Sequence, residues 1–318
     1  MTHYCTLTIE FLCNLLIYYI LTPFLYIILF PIYCIGYVYD MICRKDVPKP
    51  KSILITGASS GIGEHLAYYY ASHGAEILYI FGQNKERLEK TKEKCLALNS
   101  SMIVKTYVGD ITNEKEFLGR LDTIKQIDNV DLVIANAGRG VVAEMTSESL
   151  LNDADISFKL NILAAVHTVL PFVDQMKSRK CGQLAVVSSA NGYGNLFMVP
   201  SYESSKNCVR VYFEGLQNQL RPFGIHVNII SPGPVDTRFS ENQNQYPLCY
   251  TAEKAATYIA EQLAIDTPFI AFPQIYHVIF YTLGRQVPSA IGQIITRFTQ
   301  WRSERNMQSN TTQTTTQN

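Results

Sequence analysis

Charge is scarce and unevenly spread. Charged residues make up 17% of the 318-residue chain, against roughly 25% in a soluble domain. Only Glu10 and Asp40 are charged within residues 1–43. There is no basic surplus either, since 27 Lys and Arg balance 27 Asp and Glu. A nucleic-acid binder usually carries such a surplus, so nucleic acid is not expected as a partner. The eight cysteines include no CxxC pair and no Cys/His set at zinc-ligand spacing, which argues against a metal centre. A chain of this length needs no disulfide framework, and the thiols are expected to be reduced. With 47% hydrophobic residues, disorder throughout is excluded.

What the N-terminus has instead of charge is a long apolar run. Residues 11–39 hold 29 residues without a charge. As a helix they would reach roughly 44 Å, beyond a hydrocarbon core of about 30 Å. Pro23 and Pro31 leave open a bent, re-entrant hairpin. A cleaved signal peptide fits poorly, because no Lys or Arg precedes Arg44 and no small-residue cleavage site follows. The expectation is an uncleaved membrane anchor over 1–43 and a basic linker over 44–50. Arg44, Lys45, Lys49 and Lys51 follow the run, and the positive-inside rule then places the remainder in the cytosol.

Beyond the linker, strand-like and helix-like blocks alternate. Short apolar runs at 52–56, 76–81, 102–108, 130–136, 182–189 and 225–231 read as strands. Helical stretches fall at 62–73, 84–98, 113–126, 153–177, 201–220 and 251–264. Alternation of this kind predicts an α/β fold, a doubly wound parallel sheet of the Rossmann type, in a single domain over 51–272. An apolar extension follows at 273–302. Within it and just before it, 268–284 is too short and interrupted for a span and has three readings: a membrane-surface segment, a substrate entrance, or the end of the core. Residues 303–318 form a polar tail expected to be disordered.

ITGASSGIG (55–63) ends the first strand and opens the first helix, with Gly57, Gly61 and Gly63 at its turns. It is neither a Walker A loop nor G-x-G-x-x-G. The same physics applies: glycines let the backbone approach a pyrophosphate, and a helix N-terminus offers unpaired N–H groups. Asp110 closes the third strand and Asn136-Ala137-Gly138 the fourth, where open parallel sheets bind ligands. The second strand ends in Phe81-Gly82-Gln83-Asn84, with no carboxylate to repel a 2′-phosphate. Lys85 and Arg87 lie nearby, though no Arg sits where a phosphate would most expect one. The charge argument favours NADP(H), with NAD(H) as the alternative.

Tyr202 and Lys206 share one helix face at i, i+4 spacing. An ammonium beside a phenol favours the phenolate and is expected to lower its pKa from near 10. Such a pair can exchange a proton with a carbonyl or alcohol oxygen. A second YxxxK, Tyr250 to Lys254, lacks a strand-end serine comparable to Ser189, which precedes Tyr202 by 13 residues.

TGASSGIG, Asp110, NAG, Asn161, Ser189, YESSK and SPGPVDT together resemble the short-chain dehydrogenase/reductase family over residues 51 to about 272. The anchor and basic linker resemble its membrane-bound 11-beta-hydroxysteroid dehydrogenase-like branch. The resemblance implies Tyr202 as general acid/base, Lys206 as its partner and ribose ligand, and Ser189 as the group that polarises the substrate carbonyl. Asn161 would position Lys206 and extend a proton relay. Gly57, Ser59, Gly61, Ile62 and Gly63 would form the cofactor turn, Asp110 would meet the adenine, and Asn136 would lie along a ribose. Pro232, Gly233 and Thr237 would close over the nicotinamide. The function implied is hydride transfer between a nicotinamide cofactor and a small lipophilic carbonyl or alcohol such as a steroid, retinoid or long-chain keto lipid. A membrane setting, in the endoplasmic reticulum, and a homodimer go with it. The competing readings are a catalytically silent dinucleotide-binding scaffold or redox sensor, and a structural membrane protein on a borrowed fold.

Overall fold

The computed structural model describes residues 47–140, 146–193, 199–238 and 248–276, with 16, 21, 24, 27–32, 34, 35 and 38 near the N-terminus. Met1–Asp46 forms one compact unit and Val47–Asn318 another. In the first, the described residues are helical, and apolar side chains such as Ile27, Phe30 and Ile35 are exposed. Most of the expected anchor, the 44–46 part of the linker, and the chain beyond 276 lie outside the described residues.

The second unit begins with β1 (Ser52–Thr56), α1 (Gly61–Ser72), β2 (Ile77–Gly82), α2 (Lys85–Leu98), β3 (Ile103–Val108), α3 (Glu114–Ile127) and β4 (Leu132–Ala135). A long helical stretch then runs from α4 (Ser147–Phe158) through a π turn (Lys159–Leu163), α5 (Ala164–Val169) and a short 3-10 turn to α6 (Val173–Arg179). It is followed by β5 (Gly182–Val187), α7 (Pro200–Leu220), β6 (Ile225–Pro232), β7 (Val235–Asp236), β8 (Tyr250–Thr251), α8 (Ala252–Ala264) and β9 (Phe269–Phe272).

Seven strands form one sheet in the order β3-β2-β1-β4-β5-β6-β9, and every pairing is parallel. β7 and β8 pair separately. The order reverses between β1 and β4, the switch point at which doubly wound sheets open a crevice. Strand residues alternate between two cores, as the twofold period of a strand requires. Ile53, Ile55, Leu78, Ile80, Leu132 and Ile134 pack under α1, α2 and α8. Leu54, Tyr79, Phe81, Val133, Leu184 and Val186 pack under α3, α5 and α7. Both faces are dry, which is why these strands read as continuous apolar runs.

Several elements differ from the sequence reading. The helix expected from 153 starts at Ser147, where Thr146 accepts the Ser149 N–H at 3.2 Å as an N-cap. The seventh strand, β9, has no counterpart among the strands of the sequence reading, which gave the end of the core as one of three roles for that stretch. It lies at the start of the apolar stretch 268–284 and completes the sheet beside β6. Among the described residues, Ser147–Arg179 is long and apolar enough to cross a membrane. It packs Ala164, Val169, Phe172 and Met176 into the core beneath the sheet, which accounts for its apolar character.

Candidate active site

A cavity of about 590 Å³ opens at the carboxyl ends of the strands. One wall is the turn between β1 and α1. Gly57 and Gly61 adopt φ of +72° and +60°, a conformation that a side chain would strain. An added β-carbon on Gly63 would stand 2.4 Å from Asn136 Nδ2 and 2.6 Å from the Gly57 carbonyl oxygen. The turn is pinned from the neighbouring elements. Asn136 Nδ2 donates to the carbonyls of Thr56 at 2.9 Å and Gly57 at 3.3 Å. Thr56 Oγ1 accepts the N–H groups of Asn136 and Ala137. Thr91 Oγ1 donates to the Ala58 carbonyl at 3.1 Å. Ser60, at the N-cap of α1, makes no side-chain capping bond. The first-turn N–H groups therefore gain no partner from it, a disposition suited to an anion.

The facing wall is built on β5 and α7. Pro200 sits at the start of α7, where its missing N–H costs nothing. One face of that helix carries Ser201, Ser205, Lys206, Val209 and Phe213 into the interior. Lys206 is 3% exposed, and its Nζ donates to the Val187 carbonyl at 2.8 Å. Ser188 Oγ donates to the Lys206 carbonyl at 2.8 Å, tying strand end to helix. Ser189 Oγ accepts the Asn191 N–H at 3.2 Å and is a hydrogen-bond partner of the Tyr202 phenol. Ser189, Tyr202 and Lys206 all line the cavity, opposite Gly57, Ser59, Gly61 and Ile62.

Electrostatically the site departs from the local i, i+4 argument. Burial pushes the Tyr202 phenol up to about 12, the Ser189 hydrogen bond pulls it down, and the Glu203 charge raises it. The Lys206 side chain is held by strand β5. Its ammonium lies 6.0 Å from the ring centroid and is engaged by Val187. Burial also lowers Lys206 to about 8. Desolvation outweighs the pairwise attraction here, because both groups lose water at once.

Asn161 sits in the π turn and is 1% exposed, behind the cavity wall. Its Oδ1 accepts the Arg139 N–H at 2.9 Å, and its Nδ2 donates to the Arg139 carbonyl at 2.9 Å and to Ser205 Oγ at 3.0 Å. Gly138 lies between it and the lysine. A β-carbon there would meet Lys206 Nζ at 3.0 Å and Asn161 Oδ1 at 3.1 Å. π turns of this kind are frequent at functional sites.

Pro232, Gly233 and Thr237 also line the cavity, on the side of β6 and β7. Gly63 stands behind the turn. Asp110 is exposed and absent from the wall, while its neighbours Gly109 and Ile111 line it. Asp110 Oδ1 instead accepts from Thr112 N and Oγ1 at 2.9 and 2.8 Å, a local turn. Asn136 lines the wall, but its amide is spent on the glycine turn. Tyr250 lies in β8, outside the cavity, with Lys254 4.2 Å from its ring centroid.

Sequence reasoning did not single out Ser188 or Tyr276 as site residues, and it placed Arg87 only near the end of the second strand. Arg87 reaches the cavity wall beside Gly82 and Gln83, and its Nε is buried without a hydrogen-bond partner. The Asn84 side chain caps α2 by accepting the Arg87 N–H at 2.9 Å.

Residues 51–247 match the family described as short chain dehydrogenase. An uncharacterized oxidoreductase of Staphylococcus aureus (strain MW2) is 30% identical over 195 residues, 61% of this chain and 82% of that protein. An 11-beta-hydroxysteroid dehydrogenase-like protein of Arabidopsis thaliana is 31% identical over 194 residues, covering 61% of this chain and 62% of the relative. Among solved structures, a short-chain dehydrogenase from Sphingobium yanoikuyae in complex with NADPH superposes with a TM-score of 0.63 at 23% identity, over 70% of this chain and 87% of that one. A bulky-bulky ketone specific alcohol dehydrogenase from Comamonas testosteroni gives 0.62 at 20% identity, over 80% and 94%. At these identities the structural likeness is one of fold.

Proposed function

Because the chain belongs to the short chain dehydrogenase family, we propose that it is an oxidoreductase moving hydride between NADP(H) and the carbonyl or alcohol carbon of a lipophilic substrate at a membrane. The observation that carries the reading is the convergence of Ser189, Tyr202 and Lys206 on one cavity, across from a glycine turn with no room for side chains. That turn and the N-terminus of α1 suit a pyrophosphate. A bound nicotinamide supplies or accepts the hydride at its C4 and, when oxidised, brings a positive charge to the site. Tyr202 Oη gives a proton to the substrate oxygen in reduction and takes it in oxidation. Burial raises its pKa, which favours the protonated, donating form. Ser189 Oγ holds and polarises the same oxygen. Lys206 fixes the cofactor ribose and adds positive charge. Asn161 locks the π turn and the 138–139 backbone against which Lys206 lies.

NADP(H) is favoured over NAD(H) by Arg87, which lines the cavity with Gly82 and Gln83 and has a buried Nε without a hydrogen-bond partner, and by the lack of a carboxylate at Gln83 and Asn84. Comparing kcat/KM with both cofactors tests this; a strong NADH preference contradicts it.

The lipophilic and membrane parts rest on the uncharged run 11–39 and on the printed name of the Arabidopsis relative. Incubating the protein with a membrane lipid extract and NADPH or NADP⁺ should reveal a species that gains or loses two hydrogens. Turnover confined to small soluble carbonyls removes the lipid reading. Cofactor binding with no turnover of any carbonyl supports a silent scaffold instead. Digestion of the catalytic unit by protease added to sealed microsomes would support a cytosol-facing placement on the endoplasmic reticulum, and protection would contradict it. A homodimer is proposed with the same family reading and is checked by sedimentation.

A further inference from the structure

We infer that Tyr276, beyond the family-matched segment, is a specificity-determining residue whose ring forms the substrate-side wall and favours ketones or alcohols bearing a bulky apolar group beside the reacting carbon. This deepens the oxidoreductase reading and rests on it.

The matched segment ends at residue 247, and Tyr276 follows β9. It nevertheless lines the same cavity as Ser189, Asn191, Val199 and Tyr202. Sheet order tells which half of the cavity it serves. The glycine turn, Gly82 and Gly109 follow β1, β2 and β3, whereas β9 is the opposite edge, next to β6. At about 4.8 Å per strand, β9 lies roughly 19 Å across the sheet from β1. Tyr276 therefore stands far from the adenine half, at the end where Ser189 and Tyr202 meet the reacting oxygen.

Its local position is fixed on two sides. Its N–H donates to the Pro273 carbonyl at 3.0 Å, and its Cβ stands 3.6 Å from where a β-carbon on Gly233 would sit. It packs against the small cluster of Ala190 and Tyr193, in the turn that follows Ser189. The ring thus stands between the Pro232–Gly233 strap and the Ser189 turn. Among the described lining residues the aromatics are Phe81, Tyr202 and Tyr276. Phe81 belongs to β2 and Tyr202 carries the proton. Tyr276 adds an aromatic surface to the cavity wall on the side of the substrate's carbon skeleton. An aromatic face gains from a broad apolar partner and gains little from a methyl group.

The test uses the full chain with Tyr276→Ala, Tyr276→Leu and Tyr276→Phe, and two probe ketones, acetone and 2-decalone. With NADPH, Tyr276→Ala should raise KM for 2-decalone by about tenfold, the size of one well-formed aromatic contact. Acetone turnover and the Kd for NADP⁺ should stay within about twofold, and intact NADP⁺ binding also reports that the variant is folded. Tyr276→Phe should retain wild-type selectivity, and Tyr276→Leu should lose part of it, so the ordering survives even if the alanine variant does not fold. Equal losses on both ketones, or a rise in the NADP⁺ Kd, would overturn the assignment. Calorimetric titration of 2-decalone into NADP⁺-loaded protein separates the two levels of argument, because that complex cannot transfer hydride. A wild-type enzyme inert to both ketones and to the carbonyls of the lipid extract contradicts the oxidoreductase reading. Unchanged 2-decalone affinity in Tyr276→Ala contradicts the wall.

Discussion

Lys206→Met should make the protein inactive and, near neutral pH, more stable relative to its behaviour at alkaline pH. Burial lowers the Lys206 pKa from 10.5 to about 8. At about 1.4 kcal/mol per pH unit, charging this lysine in the fold costs about 3 kcal/mol more than in the unfolded chain. Below pH 8 the lysine is protonated in both states and the penalty is complete. Between 8 and 10.5 the unfolded chain binds more protons, so wild-type stability rises with pH; above 10.5 the penalty is gone. The substitution removes this term and also the hydrogen bond to Val187, worth about 1 kcal/mol at any pH. The difference in unfolding free energy, variant minus wild type, should therefore fall by about 2 kcal/mol between pH 7 and pH 9.5. Urea unfolding of both proteins, followed by circular dichroism at four or five pH values in that window, measures it. A difference that stays flat, or grows with pH, would show that the lysine is not held with a depressed pKa, and the electrostatic account of the site would fail.

Further outcomes follow from the same geometry. Tyr202→Phe should lower kcat by about 10² to 10⁴, the range for losing a general acid, while the Kd for NADP⁺ stays near wild type; steady-state kinetics and a binding titration check both halves. Gly63→Ala should destabilise the fold by about 1–3 kcal/mol and weaken cofactor binding, since its β-carbon would collide with Asn136 and the Gly57 carbonyl; a normal melting temperature with normal binding refutes the cradle. Arg87→Gln should raise KM for NADPH by about tenfold and leave KM for NADH unchanged, the amount for one charge-assisted contact; equal shifts for both cofactors would remove Arg87 from the 2′-phosphate.

Much of this architecture is legible in the residues because its elements are local and its sheet is dry on both sides. SILIT reads as a strand and is β1, residue for residue. Hydrophobicity alone did not find β9, because Phe269–Phe272 runs into further apolar residues and only its pairing with β6 marks it as a strand. The π turn at Lys159–Leu163 was equally hidden. It accompanies hydrogen bonds from Asn161 to Arg139 and Ser205, partners 22 and 44 residues away. Tyr202 and Lys206 were legible as neighbours, but their titration was not: spacing reports proximity, and burial decides the sign. Arg87 lies past the strand end at which a phosphate-binding arginine is most expected, yet the first turn of α2 brings it to the cavity. Asp110 and Asn136 sit at strand ends as expected, and what their side chains touch depends on Thr112, Thr56 and Gly57.

Isotope transfer shows whether hydride passes from the cofactor to a ketone on this protein. NADPH carrying deuterium at C4, on either face of the ring in separate reactions, is incubated with the protein and a lipophilic ketone, and the alcohol is analysed by mass spectrometry. On this account, one deuterium should appear on the carbinol carbon from one of the two faces, and its formation with Tyr202→Phe should be slower by about 10² to 10⁴. Cofactor that binds fully while no ketone acquires the label from either face would contradict it.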